Sequence, residues 1–151
     1  VLGGTGPEGV GLALRFAQAG EAVIIGSRDE ARAAAAAARV RAELPHAQVS
    51  GRENAAAAAA AERVVLALPH AGAEPFLVQH AAALAGKIVI DVMVPLRFAG
   101  GVFESVPLAD PSLAEMVARL VPAARVAAAF KNLSAEHLQR LDHPLEGDVL
   151  V

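Results

Sequence analysis

The sequence predicts an α/β domain with a mostly parallel sheet covered by helices on both faces, and three observations carry that prediction. Short apolar runs alternate with helical patterns along the whole chain. The runs AVIIG, RVVLAL and KIVIDV are apolar without the polar alternation of a half-exposed strand, as expected when both faces are buried. The chain opens on a glycine-rich turn between a strand end and a helix start, Gly3-Gly4-Thr5-Gly6-Pro7-Glu8-Gly9. Together these give the doubly wound, Rossmann-type arrangement.

The elements follow in order. Val1-Leu2 reads as the tail of a first strand, and a helix runs from about Glu8 to Ala19 with Val10, Leu14 and Ala17 on one face. Gly20 ends it, and Ala22–Gly26 is a buried strand. Asp29 caps a helix over Glu30–Glu43, which Pro45 closes. A weak strand is expected at Gln48–Ser50, then an alanine helix capped by Asn54 and reaching Ala61. Arg63–Leu68 is a strand, Pro75–Leu84 a helix and Lys87–Val92 another strand. Pro95–Asp110, with Gly100-Gly101 and two prolines, reads as a loop. A helix over Ser112–Leu120, a strand over Arg125–Phe130 and a short helix from Ser134 to about Leu141 complete the pattern. Both ends read as cut, because a full first strand wants about 5–6 residues and Asp148–Val151 is strand-like. On that reading residues 1–151 are one nucleotide-binding domain of a longer protein.

Composition narrows the function. With 55% hydrophobic and 19% charged residues among 151, the chain has a core to bury. Its net charge of −3 argues against a nucleic-acid surface. The absence of cysteine removes disulfides, thiol catalysis and cysteine-ligated metals. Charges, Pro and Gly break every apolar run short of the roughly 18 residues a membrane span needs, so a cytoplasmic protein without membrane partners is expected.

Gly4-x-Gly6-x-x-Gly9 is the dinucleotide fingerprint in its proper strand–turn–helix context. The first glycine allows the turn, the second lets the backbone approach a pyrophosphate, and the third lets helix and strand pack. Backbone N–H groups at the helix start then face the anion, helped by the helix dipole. An NAD site would place a carboxylate at the end of the second strand, roughly 20 residues on. Gly26-Ser27-Arg28 stands there instead. Ser27 donates a hydrogen bond and Arg28 a charged fork, and Arg32 lies one helical turn further along. Thr5 adds a hydroxyl. Asp29 falls late and serves better as a cap. NADP(H) is the predicted dinucleotide.

Ligands in this fold lie beyond the carboxyl ends of the strands. Those ends supply Leu68-Pro69-His70, Asp91-Val92-Met93-Val94-Pro95-Leu96 and Phe130-Lys131-Asn132. His70 is either a ring-stacking residue or a solvent-facing loop histidine. Asp91 is a structural carboxylate or an acid/base group. Lys131 and Asn132 are placed to hold a substrate, although Asn132 is equally a turn residue. His46, His80 and His137 read as peripheral, His143 reads as forming a turn with Pro144, and no metal-ligand spacing is present. A site with apolar walls at Val94, Pro95 and Leu96 and few titratable groups suits hydride transfer between two rings. Two other readings stay open: an NADP-dependent reductase of a small imine or hydroxy acid, with Lys131 or His70 giving the proton, and a non-catalytic NADP-sensing module.

The segments GGTGPEGVGLALRFAQAG, VIIGSRDEAR, KIVIDVMVPLRF, AAFKNLSAEHLQ and LDHPLEGDVLV closely resemble NADPH-dependent reductases of coenzyme F420, the 8-hydroxy-5-deazaflavin. The resemblance implies reversible hydride exchange between NADPH and that deazaflavin, with the latter as small-molecule co-substrate. It assigns NADP binding to Thr5, Ser27, Arg28 and Arg32, where relatives often carry Lys at the last position. It puts the deazaflavin near Val94-Pro95-Leu96. Met93 departs from the small polar residue expected there, and Asp110-Pro111-Ser112-Leu113 departs from a Gly-Ser helix start. The resemblance further implies a homodimer formed through a C-terminal helical portion absent here. A related module occurs in membrane metalloreductases, but this sequence contains no span.

Overall fold

The two residues at the head of the chain sit at the centre of the sheet. In the computed structural model, which describes residues 1–151, Leu2 N donates to Val65 O at 2.8 Å and Leu2 O accepts from Ala67 N at 3.0 Å. On the other side Val1 N donates to Ile24 O at 2.7 Å, and Val1 O accepts from Gly26 N at 2.8 Å. Val1-Leu2 therefore joins a parallel pair, β1 (Val23–Ser27) and β2 (Val49–Glu53), to a parallel triplet of β3 (Arg63–Leu66), β4 (Ile88–Asp91) and β7 (Arg125–Ala128). Counted along the chain, the strands lie in the order third, second, first, fourth, fifth, sixth. This is the doubly wound order, which opens its crevice where the chain reverses direction across the sheet.

Helices cover both faces. On one, α1 (Pro7–Gln18) and α2 (Glu30–Glu43) bury Val10, Leu14, Ala37 and Val40 against Val23 and Ile25. The short α6 (Ala135–Gln139) joins them through Leu138, which packs with Leu12, Val65 and Val92. On the other, α3 (Asn54–Ala60), α4 (Ala73–Leu84) and α5 (Leu113–Leu120) bury Ala57, Leu77 and Val117 against Leu2, Val64, Leu66 and Val89. Small residues let these layers approach closely. A Cβ on Gly51 would lie 2.2 Å from the Ala33 carbonyl carbon, and one on Gly11 would lie 2.6 Å from Leu138 Cβ. Arg15 fastens α6 to α1 by donating to the carbonyl oxygens of Leu138, His137, Arg140 and His143.

The cap expected at Asp29 is present: its Oδ1 accepts from Ala31 N at 2.9 Å and Arg32 N at 3.3 Å. Ser112 caps α5: its Oγ accepts from Glu115 N at 3.1 Å and donates to the Glu115 carboxylate at 2.8 Å. Three expectations are corrected. Asn54 is not the cap of α3; Glu53 is, accepting from Ala55 N at 2.7 Å, because β2 runs on to Glu53 in register with Ser27. Pro95–Asp110 is not all loop. It contains an antiparallel hairpin, β5 (Leu96–Ala99) and β6 (Val102–Ser105), turned by Gly100 and Gly101 at φ of 57° and 84°. Asp148–Val151 forms no strand. No helix is long and apolar enough to cross a membrane.

Candidate dinucleotide and hydride-transfer site

The glycine turn is built by contacts that leave no room for side chains at three positions and ample room at a fourth. Gly3 adopts φ of 67°, and a Cβ there would meet Ala67 O and Leu68 Cδ2, both at 2.8 Å. Gly4 N donates to Gly26 O at 3.0 Å, which ties the turn to the end of β1. A Cβ on Gly9 would fall 2.4 Å from Gly4 Cα, whereas one on Gly6 would meet nothing within 4 Å. The structure thus separates the roles: Gly4 and Gly9 pack, and Gly6 faces open space. Pro7 stands in the first turn of α1, where its missing N–H costs nothing. No side chain caps α1, so the first-turn amides and the positive end of the helix dipole are left for an anion. These residues fit a pyrophosphate.

One residue that supports this turn, expected from the sequence only as a helix cap, lies far from it in the chain. Asn54 is 1% exposed, and its Oδ1 accepts from Gly3 N at 3.3 Å across the sheet. The same oxygen would be 2.7 Å from a Cβ on Gly26. Asn54 therefore braces the phosphate turn from the far face. The nearest available signal was its position directly after a strand, which reads equally well as a cap.

The end of β1 carries the polar corner. Ser27 is buried, and its Oγ accepts from Asp29 N at 3.2 Å. Arg28 and Arg32 are exposed. Neither side chain appears in any hydrogen bond or ion pair of the chain. The Asp29 carboxylate is turned into its helix, where it accepts from Ala31 N and Arg32 N, and the Glu53 carboxylate likewise accepts from Ala55 N at the start of α3. Thr5 and Glu8 lie half-buried beside the turn. Burial pushes the Glu8 carboxyl above its ordinary value.

Beyond the carboxyl ends of the central strands the expected segments come together. Leu68 packs on Gly3 and Pro69 leads into a single 3-10 turn, with His70 half-buried at its start. Val94 and Leu96 are 42% and 44% exposed, and Pro95 O accepts from Val106 N at 2.7 Å. Asp91 is fully buried; Oδ1 accepts from Met93 N at 2.9 Å and Oδ2 from Lys131 Nζ at 2.6 Å. It is structural. Lys131 is held by Asp91 and by Met93 O rather than standing free. Asn132 binds Asp148 O and Leu150 N, so it ties down the following segment. His80 packs against Phe76 within α4 with the rings tilted at 47°, His143 lies beside Asp142, His46 falls between α2 and β2, and His137 is in α6.

A family model described as NADP oxidoreductase, coenzyme F420-dependent, matches residues 1–95. The F420-dependent NADP reductase of Methanothermobacter marburgensis is 43% identical over 100% of this chain and 70% of its own length. The chain belongs to this family. Reductases of the same description from Methanothermobacter thermautotrophicus and Methanocaldococcus jannaschii are 42% and 38% identical, and the chain spans 68% and 70% of them. Among solved structures, a candidate F420-dependent NADP reductase from Arthrobacter sp. FB24 superposes with a TM-score of 0.71 at 34% identity. Protein SMa0349 of Sinorhizobium meliloti does so with a TM-score of 0.74 at 31%. These two alignments cover 87% and 89% of this chain and 61% and 62% of those chains. The F420-dependent oxidoreductase family is thus shown by both sequence and fold, and the match over residues 1–95 takes in the glycine turn, the arginine corner and the strand end at Asp91.

Proposed function

We propose that this chain is an oxidoreductase that passes a hydride between NADP(H) and the deazaflavin coenzyme F420. The observation that carries the proposal is the corner at the end of β1: a buried Ser27 hydroxyl beside two exposed guanidinium groups, Arg28 and Arg32, with Asp29 withdrawn into a cap. That donor set suits a 2′-phosphate and gives NADH nothing to prefer. The pyrophosphate sits on the amides between Gly4 and Gly9, and Thr5 supplies a hydroxyl.

From that corner the dinucleotide runs across the crevice toward Leu68-Pro69-His70, with the nicotinamide over the strand ends. The deazaflavin lies on the exposed apolar segment Val94-Pro95-Leu96. A hydride leaves the dihydronicotinamide, and the deazaflavin takes it together with a proton from solvent. The protein's part is to hold two rings in contact distance. A reductase of an imine or hydroxy acid would need a placed proton donor. Of its two candidates, Lys131 is engaged by Asp91, and His70 stands half-buried at the start of the 3-10 turn. His70→Ala with retained hydride exchange to the deazaflavin would speak against that second reading. We place the protein in the cytoplasm as a homodimer, to be checked by light scattering of the purified protein.

The test mixes purified protein, NADPH and oxidised deazaflavin and follows the absorbance of both. Stoichiometric exchange, reversible with NADP and the reduced deazaflavin, is expected. NADPH binding with no exchange overturns the proposal in favour of a sensing module.

A further inference from the structure

We infer that Lys131 is a positioning residue for the second ring, acting through the backbone of Met93; this rests on the reading of Val94-Pro95-Leu96 as that ring's floor. Met93 is the last residue of the β4 end to be buried, at 3% exposure, before Val94 and Leu96 emerge. Both of its backbone polar groups are held by one ion pair. Its N–H donates to Asp91 Oδ1 at 2.9 Å, and its carbonyl oxygen accepts from Lys131 Nζ. The same ammonium donates to Asp91 Oδ2 at 2.6 Å. The carboxylate and the ammonium therefore close a ring of hydrogen bonds around a single residue, holding the peptide groups on both sides of Met93, and the exposed segment projects from that fixed root.

The way Lys131 arrives supports a dedicated role. Phe130 has φ of 63°, the one non-glycine residue of the chain in the left-handed region, a conformation that costs free energy unless its surroundings impose it. Its ring packs edge-on against Phe16 of α1, centroids 5.8 Å apart at 80°. Ala129 N donates to Asp91 O at 3.2 Å, so β7 stays in register until the chain reverses. The backbone at Phe130 is thus bent in a way that delivers Lys131 over Asp91. The phenyl contact joins the root of the ring floor to the helix whose N-terminus bears the phosphate turn.

The consequence is selective. Loosening Met93 should disturb the second ring's placement and leave the remote NADP phosphates alone. Lys131→Met keeps the chain length and removes the charge. In Lys131→Met, amide exchange at Met93, Val94, Leu96 and Arg97 without ligand should quicken by about tenfold or more as local opening becomes easier. The KM for the deazaflavin should rise and kcat fall by about tenfold together, as ring misplacement requires. NADPH affinity, read from NADPH's own fluorescence in a chain without Trp or Tyr, should stay within about twofold, because Lys131→Met leaves the Phe130–Phe16 contact in place and Lys131 shares no hydrogen bond or ion pair with the glycine turn or the arginine corner. Should the single variant fail to fold with Asp91 left unpaired, the double variant Asp91→Asn with Lys131→Met neutralises both groups while Asn keeps an acceptor for Met93 N. It should show the same exchange and kinetic changes. Lys131→Arg, retaining the charge, should recover part of the loss. Unchanged exchange at these amides, or a fall in NADPH affinity as large as the loss in kcat/KM, overturns the inference. If the wild type exchanges no hydride with deazaflavin, the proposed reaction falls, and the clamp on Met93 stands or falls on amide exchange alone.

Discussion

Gly9 lies so close to Gly4 that a methyl group on the former would stand 2.4 Å from the Cα of the latter. Backbone cannot yield as a side-chain tip can, so Gly9→Ala must push α1 away from the sheet. Overpacking of this kind costs about 1–3 kcal/mol or more, and a lower Tm with weaker NADPH binding is expected. Gly6→Ala makes the opposite prediction from the same turn. Gly6 has φ of −80° and open space around its Cβ position. Alanine restricts the unfolded chain but caps less well than glycine, so stability should hold within about 1 kcal/mol. NADPH affinity should nevertheless fall, because the methyl occupies the space the pyrophosphate needs. Thermal unfolding and NADPH titration of the two variants test both halves. Loss of stability in Gly6→Ala, or none in Gly9→Ala, contradicts the assignment of roles.

Replacing Arg28 with Asp reverses the charge at the proposed 2′-phosphate site. Hydrogen bonds to charged groups contribute about 1.5–3 kcal/mol each, so NADPH binding should weaken by at least about tenfold. NADH, which lacks the phosphate, should bind almost as before. Arg32→Ala should act in the same direction and more weakly. Equal loss for both dinucleotides in a titration would refute the corner.

Asn54→Ala removes the acceptor that faces Gly3 N and leaves a partly buried donor unpaired, at a cost of about 1–3 kcal/mol. Asn54→Asp keeps an acceptor but brings a buried negative charge against the phosphate turn. The aspartate variant should therefore lose more NADPH affinity than the alanine variant, with the gap narrowing as pH is lowered. Urea unfolding paired with NADPH titration distinguishes the two effects.

Glu8 sets a pH dependence whose sign can be worked out. Burial raises its pKa in the folded state, so the native protein holds that proton more tightly than the unfolded chain. Its contribution to stability is complete below the unfolded value of about 4.3 and is lost as pH rises through the folded value. Glu8→Gln should abolish that slope and be the more stable form at neutral pH. It should also bind NADPH more tightly there, since an ionised Glu8 opposes the phosphates, and the advantage should vanish in acid. Stability curves of the two proteins that run parallel across this range would count against it.

Much of the proposed phosphate site was legible in the sequence because its determinants are local. Gly4, Gly6 and Gly9 act within one turn, Asp29 caps the helix that begins at the next residue, and Ser27, Arg28 and Arg32 follow one strand end. Backbone sterics and hydrogen-bond reach over a few residues decide such features, so spacing alone exposes them. The family resemblance extended this to the second ring, which no local pattern specifies.

What the sequence by itself determined is the alternating α/β layout, the glycine turn and the preference for NADP(H). The tertiary structure decided everything that depends on strand register and on contacts across the sheet. It carried β2 through to Glu53, gave the cap of α3 to that residue, and turned Asn54 toward Gly3, 51 positions away. It paired Leu96–Ala99 with Val102–Ser105 into a hairpin that two short runs with exposed apolar residues do not announce. It also brought Lys131 to Asp91 across 40 positions. Two charges so far apart in the chain meet only because β4 and β7 lie side by side in parallel register, which leaves their carboxyl ends at the same edge of the sheet.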